Sequence, residues 1–228
     1  MRILIINPNS TKDITRTLVA ALPRYEGVLL HTLDAPVPAP AAIQSAVTSI
    51  ASAFYSFKAI LPTLAEYDGF LVCCYSAHPL VEMLRESTTA PVVGIMQASL
   101  VTGLQLGNKV GIVTTAERWQ PLLTNAVASL GFDTARVQVS TTGLGVLDLH
   151  AKPQTEVHAL VAARALELVR DGCEVIALGC AGMTGLERAV TEAVGPGVPV
   201  VDGVAAGYEQ LLALCRMKLQ TSKALLYA

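Results

Sequence analysis

The sequence predicts an α/β protein made of two pseudo-symmetric half-domains, each a parallel sheet flanked by helices, with the active site in the cleft between them. Three observations carry this prediction. Short apolar runs alternate with helix-length amphipathic stretches along the whole chain, the rhythm of parallel strands joined by crossover helices. The chain is 52% hydrophobic but only 5% aromatic. Its apolar content is mostly Ala, Val and Leu, which suits helices packed on strands buried on both faces. Finally, the chain reads as two copies of one unit.

Taken in order, "RILIIN" (2–7) is a strand, and "STKDITRTLVAAL" follows with helical periodicity. "GVLLHTL" (27–33) is the second strand, and the Pro/Ala-rich "DAPVPAPAA" is a loop. A long helix is expected from Ile43 to Ala65, with Ile43, Val47, Ile50 and Phe54 spaced three or four apart on its apolar face. "GFLVCC" (69–74) and "APVVGIM" (90–96) complete four strands. "NKVGIVTT" (108–115), "ARVQVST" (135–141), "CEVIALG" (173–179) and "GVPVVDG" (197–203) give four more, with helices between.

The second four strands echo the first. "RILIINPNST" matches "KVGIVTTAER", "DGFLVCCYSAHP" matches "GCEVIALGCAGM", and "APVVGIMQASLVTGLQL" matches "VPVVDGVAAGYEQLL". Asn7 to Thr114 is 107 positions and Cys74 to Cys180 is 106. The expected division is 1–100 plus 205–228 for the first half-domain and 101–204 for the second.

Composition narrows the function. The net charge is −2 with no basic patch, so nucleic acid is not an expected partner. No apolar run reaches the ~18–20 residues that a membrane span needs. The opening "MRILIINPNS" is too short for a signal peptide and reads at once as a strand. Five cysteines without a CxxC pair or zinc-type spacing point to a reduced, cytoplasmic protein, with no metal and no cofactor expected. With 15% of residues charged, a homo-oligomer acting on a small molecule is the expected form.

Ligands of parallel α/β units bind beyond the carboxyl ends of the strands. Cys74 and Cys180 stand at matched strand ends, so two thiols are expected to enter one cleft from opposite sides. Cys73 points to the other face of its strand and has Gly179 at its counterpart. It reads as core, as do Cys173 and Cys215. Two thiols flanking one carbon can exchange its proton: one removes it from one face, the other returns a proton to the opposite face. The intermediate is an enolate, which needs oriented N–H donors. Each cysteine precedes a helix, whose first N–H groups are expected to hold the oxyanion and lower the thiol pKa. The small residues Ala181 and Gly182 let a substrate approach the main chain.

At these residues the chain resembles the aspartate/glutamate/hydantoin racemase superfamily, and within it the hydantoin and allantoin racemase branch, in a fungal-like form. "INPNST" (6–11), "CYSAHP" (74–79) and "LGCAGM" (178–183) carry the resemblance, which spans essentially the whole chain. The "CNT" and "GCTH" turns of glutamate racemases are absent. Bacterial hydantoin racemases have a Gly-Asp pair after the first cysteine and its aromatic neighbour; here the turn reads Tyr75-Ser76-Ala77-His78. The resemblance implies a cofactor-independent racemase of allantoin or 5-substituted hydantoins, with Cys74 and Cys180 as the acid/base pair. Asn7, Ser10, Thr114 and Thr115 are expected to line the cleft, with Tyr75, Ser76, Gly182 and Met183 in the pocket wall.

Competing readings stand beside these. Asn7 is also a turn residue before Pro8, and Ser10 or Thr11 a helix cap. His78 tunes Cys74, binds substrate, or caps a helix beginning at Pro79. His150 lies on a loop and is expected at the surface, and Trp119 packs a helix. The alternative functions are a related activity on a small carboxylate (amino-acid racemisation, decarboxylation or maleate-type isomerisation, in which a cysteine adds to a double bond) or a catalytically silent small-molecule binder.

Overall fold

Ile3, Leu4, Ile5 and Ile6 form a strand core that excludes water on both faces, with exposures of 0–3%. Such a strand must be covered on both faces and paired on both edges. The computed structural model, which describes all 228 residues, meets this requirement twice. β1 (Arg2–Asn7) pairs in parallel with β2 (Leu29–Asp34) on one side and β3 (Gly69–Val72) on the other, and β3 pairs with β4 (Val92–Gly94). The order is β2-β1-β3-β4. The second sheet repeats it as β6-β5-β7-β8, built from β5 (Val110–Thr114), β6 (Val137–Thr141), β7 (Val175–Leu178) and β8 (Val200–Asp202), all parallel. Asn7 and Thr114 are the last residues of the two central strands.

The chain forms two compact units. One comprises Met1–Cys74, His78–Ile95 and Gly207–Ala228; the other comprises Tyr75–Ala77 and Met96–Ala206. The chain crosses between them within α4 (Ile95–Leu106) and within α9 (Gly203–Arg216). In the first unit, α1 (Lys12–Ala21), α2 (Ala46–Ile60) and α3 (Pro79–Ser87) join the strands, and Leu4, Ile6, Phe70, Val72, Leu80 and Leu84 share one core. In the second, α5 (Trp119–Ser129), α6 (Asp148–Ala151), α7 (Gln154–Arg170) and α8 (Glu187–Val194) do so, with Val113, Val157, Val161, Leu168, Ile176 and Val190 in the core. No helix is long and apolar enough to cross a membrane.

Three sequence expectations are corrected. The helix expected over 43–65 begins at Ala46, because Ser45 and Thr48 form a reciprocal capping box, and it gives way at Leu61 to a 3₁₀ segment ending at Glu66. Pro62 has no N–H to continue the α-helical ladder. The face expected to be buried is also wrong: Val47, Ile50 and Phe54 face solvent, while Ser52, Ala53, Ser56 and Ile60 pack inward. The strand expected over 69–74 ends at Val72, and that over 90–96 shrinks to Val92–Gly94, because the following helix takes Ile95 and Met96. Asp202 closes the corresponding strand of the second sheet by accepting from Val204 N at 2.6 Å and Ala205 N at 2.9 Å, capping α9.

Candidate active site

In each sheet the chain steps from the central strand to one side and then returns to the other. The carboxyl end of the central strand and its later neighbour therefore flank a topological switch point, where α/β sheets open a crevice. In the first sheet this pair is β1 and β3; in the second it is β5 and β7. One further hydrogen bond extends each ladder past the strand end: Cys73 N donates to Ile6 O at 2.8 Å, and Gly179 N to Val113 O at 2.7 Å. The next residue is Cys74 in one unit and Cys180 in the other. The two cysteines thus occupy the same station of the same fold, each half-buried.

The residues before them differ for a steric reason. Cys73 is buried at 2% exposure with its Sγ 3.9 Å from Leu71 O, a core position. At Gly179 a Cβ would stand 2.5 Å from Ile112 Cγ2 and 2.7 Å from Val113 O, so no side chain fits. Thr114 reaches the same residue, its Oγ1 donating to Gly179 O at 2.7 Å. After Cys180 the chain enters a 3₁₀ turn, Ala181–Met183, with Met183 N bonded to Cys180 O. Ala181, Gly182 and Met183 are all buried, and the Met183 side chain belongs to the core.

The expectation that N–H groups would lower both thiol pKa values is corrected at Cys180. Burial pushes this thiol up to about 11, and the Gly182 N–H opposes the rise without cancelling it. The turn here is one short 3₁₀ segment, and α8 begins seven residues after the cysteine, so no long helix terminus faces it.

Asn7 is fully buried and its amide is used within its own turn. Nδ2 donates to Asn9 Oδ1, Thr11 O and Asp34 Oδ1, while Oδ1 accepts from Asn9 N. Ser10 Oγ donates to Ala39 O; Thr11 occupies the N-cap of α1, but its hydroxyl donates to Ala41 O and leaves the helix N–H groups uncapped. Thr115 is buried beside Thr114, its carbonyl accepting from Gly143 N at 3.1 Å. Tyr75 is buried and donates its hydroxyl to Ser99 Oγ at 2.7 Å, since Ser99 itself donates to Met96 O. Burial raises the phenol pKa well above its ordinary value. Ser76 is half-buried.

His78 is the N-cap of α3. Its Nδ1 accepts from Leu80 N at 3.3 Å, so the neutral ring carries its proton on Nε2 and donates it to Ser52 Oγ at 2.9 Å. Ser52 passes its own proton to Ser49 O. Burial lowers the His78 pKa to about 4, which keeps the ring neutral. Of its three possible roles, helix capping is the one the ring performs, and both nitrogens are engaged.

The structure adds three residues that sequence reasoning left aside. His150, in α6, is exposed as expected, yet its Nε2 lies 3.5 Å and Cys180 Sγ 3.7 Å from the point where a Cβ on Gly182 would stand. Asp202 pairs in register with Leu178, two residues before Cys180. Its Oδ2 is buried without a donor that is fixed in place, while the Glu187 side chain hydrogen-bonds it, and the Glu187 pKa is raised, first by burial. The only sequence signal for these was weak: "VVDG" matches "VVGI", putting Asp202 where the first half has Gly94.

Comparison with known proteins agrees with this geometry. The model of the Asp/Glu/hydantoin racemase family matches residues 3–211. An uncharacterized protein of Schizosaccharomyces pombe is 44% identical over 227 residues, 98% of this chain and 95% of that one. A hydantoin racemase of Rhizobium meliloti is 30% identical over 230 residues, 100% of this chain and 94% of that one. The crystal structure of an allantoin racemase from Pseudomonas fluorescens superposes with a TM-score of 0.92 at 30% identity, covering 100% of this chain and 96% of that one. Paired parallel sheets of identical order, a cysteine at the same station in each, and a family match running through both sheets lead to one conclusion: the chain belongs to the Asp/Glu/hydantoin racemase family and is an enzyme of the racemase class.

Proposed function

We propose that the protein racemises a hydantoin-type substrate, allantoin or a 5-substituted hydantoin, by proton transfer between Cys74 and Cys180. The observation that carries this reading is the matched station of the two cysteines, each one residue beyond the last ladder hydrogen bond at the switch point of its sheet. In the proposed reaction one thiolate removes the proton from the ring carbon next to the carbonyl, and the electron pair moves onto that carbonyl as an enolate. The opposite thiol then protonates the carbon on its other face. The product is the mirror image of the substrate, and the two thiols have exchanged protonation states, so no cofactor enters the balance.

Several side chains have supporting roles in this reading. Backbone N–H groups of the turn Ala181–Met183 would hold the developing enolate. Asn7 and Thr114 would position the strand ends, since their polar groups are committed to the backbone and to neighbouring turns. His78 would act through α3 as a positioning residue, its ring nitrogens being engaged. A neutral ring suits a strand edge that carries Asp202 and Glu187, whereas a dicarboxylate would meet like charge there.

The test is circular dichroism or polarimetry on single enantiomers of allantoin and a panel of 5-substituted hydantoins. Decay of the optical signal above the spontaneous rate, with no change of mass, is the expected result. Unchanged optical activity across the panel would overturn the reading.

A further inference from the structure

The outer face of α2 runs against the ordinary distribution of residues on a surface helix. Over Ala46–Ile60 the helix carries a single charged residue, Lys58. Its outward positions are Val47 (77% exposed), Ile50 (63%) and Phe54 (50%), and Leu61 (52%) continues the row. With Lys58 included, the spacing is three, four, four, three, the period of one straight helical face. Small or polar residues occupy the inward positions, so the helix is more apolar toward solvent than toward its own core.

We infer that this face of α2 is an interface with a second copy of the same chain, formed by antiparallel packing of the two α2 helices about a twofold axis near Ile50 and Phe54. Two features favour a second copy over another partner. The first is charge. Lys58 lies toward the C-terminal end, its ammonium 5.7 Å from the Phe54 ring centre. In an antiparallel pair the two Lys58 side chains stand at opposite ends of the contact and do not repel, and their apolar stems extend the covered surface. No acidic or basic group on the face asks for a complementary partner.

The second feature is area. The four side chains expose on the order of 400 Å² of apolar surface, at the upper end of what a monomer keeps exposed. This is about half of one partner's share of a standard interface, the part that forms an apolar core inside a polar rim. The helix is about 22 Å long, enough for three turns of contact on each side of the axis combined.

Sedimentation equilibrium of the full chain tests the inference. The wild type is expected at twice 23.9 kDa or a higher multiple. The double substitution Ile50→Glu with Phe54→Glu is expected to weaken the self-association at least a hundredfold, while Leu226→Glu, at a site equally exposed in the C-terminal segment, leaves it unchanged. A wild-type monomer at tens of micromolar (about the range in which a standard interface is occupied), or a folded double variant with wild-type mass, would overturn it. Ile50→Cys keeps the question answerable if the double variant fails to fold. Under mild oxidation it should give a disulfide-linked dimer that the wild type does not give, and its absence would equally overturn the proposal.

Discussion

Thr114 Oγ1 donates a 2.7 Å hydrogen bond to the carbonyl of Gly179, the residue that immediately precedes Cys180. The bond runs across the switch point from the end of β5 to the chain leaving β7, and it fixes the peptide from which the cysteine projects. Thr114→Val keeps the shape and leaves the buried Gly179 carbonyl without this donor. The expected outcome is a stability loss of about 1–3 kcal/mol and a fall in kcat of tenfold or more with KM changing less. Urea denaturation and steady-state kinetics check the two parts. Wild-type kcat in a correctly folded variant would remove Thr114 from the positioning of Cys180.

The paired-thiol reading makes complementary predictions for the two cysteines. A serine hydroxyl is too weak an acid, and its alkoxide too costly near neutral pH, to replace a thiol. Cys74→Ser should therefore stop racemisation in both directions yet still exchange the α-proton of one enantiomer with deuterated solvent, without inversion. Cys180→Ser should do the same for the other enantiomer. Proton NMR in D₂O reads the exchange. If both variants exchange the same enantiomer, the two thiols do not serve opposite faces.

The active free enzyme in this scheme holds one proton on the two thiols together, and the pair titrates as a unit. Because two enantiomers have equal free energy, kcat/KM must follow the same pH profile from either side. Burial holds Cys180 up at about 11, so the second proton stays on the pair through the alkaline range. Activity corrected for spontaneous racemisation should show no falling limb below about pH 10. A fall with an apparent pKa of about 8 to 9, the value of an ordinary thiol, would contradict a buried thiol as the last group to ionise.

His78 is held neutral, with its pKa lowered to about 4 by burial. A folded-state pKa below the unfolded one means that the stabilisation is complete above the unfolded value, about 6.5, and is lost as pH falls through the folded value. His78→Ala removes the α3 cap and leaves Ser52 without its ring partner, for an expected cost of about 1–3 kcal/mol. The variant should also lose less stability than the wild type between pH 6.5 and 4. Thermal unfolding across that window is the measurement, and an unchanged pH dependence would count against the role of His78.

Glu187 and Asp202 give the opposite sign. The raised Glu187 pKa means that a proton shared with Asp202 stabilises the fold at acid pH and is lost as pH rises through the folded-state value. Glu187→Gln supplies an N–H donor to Asp202 at every pH. Its melting temperature should exceed that of the wild type at neutral pH, and the difference should shrink or reverse under acid conditions. Parallel melting curves over the whole range would show that the two carboxyls do not share a proton.

The sequence by itself determined the alternation of strands and helices, the doubling of the unit, and the pairing of Cys74 with Cys180. These are legible because strand apolarity, turn residues and the offset between copies are local or periodic features of the chain. The family motifs were legible for the same reason: each lies within six consecutive residues. The tertiary structure decided which groups are covered. Helical periodicity marks Val47, Ile50 and Phe54 as one face, but it cannot say whether that face meets the sheet, and here Ser52 and Ser56 are turned inward. Ser52 is inward because His78, twenty-six positions away, donates to it. The Cys180 pKa likewise rises because of burial, which depends on every element packed around the thiol and not on the N–H groups next to it in sequence. His150 comes near Cys180 only because α6 packs on the turn that follows the cysteine, a contact between segments thirty residues apart that no local pattern records.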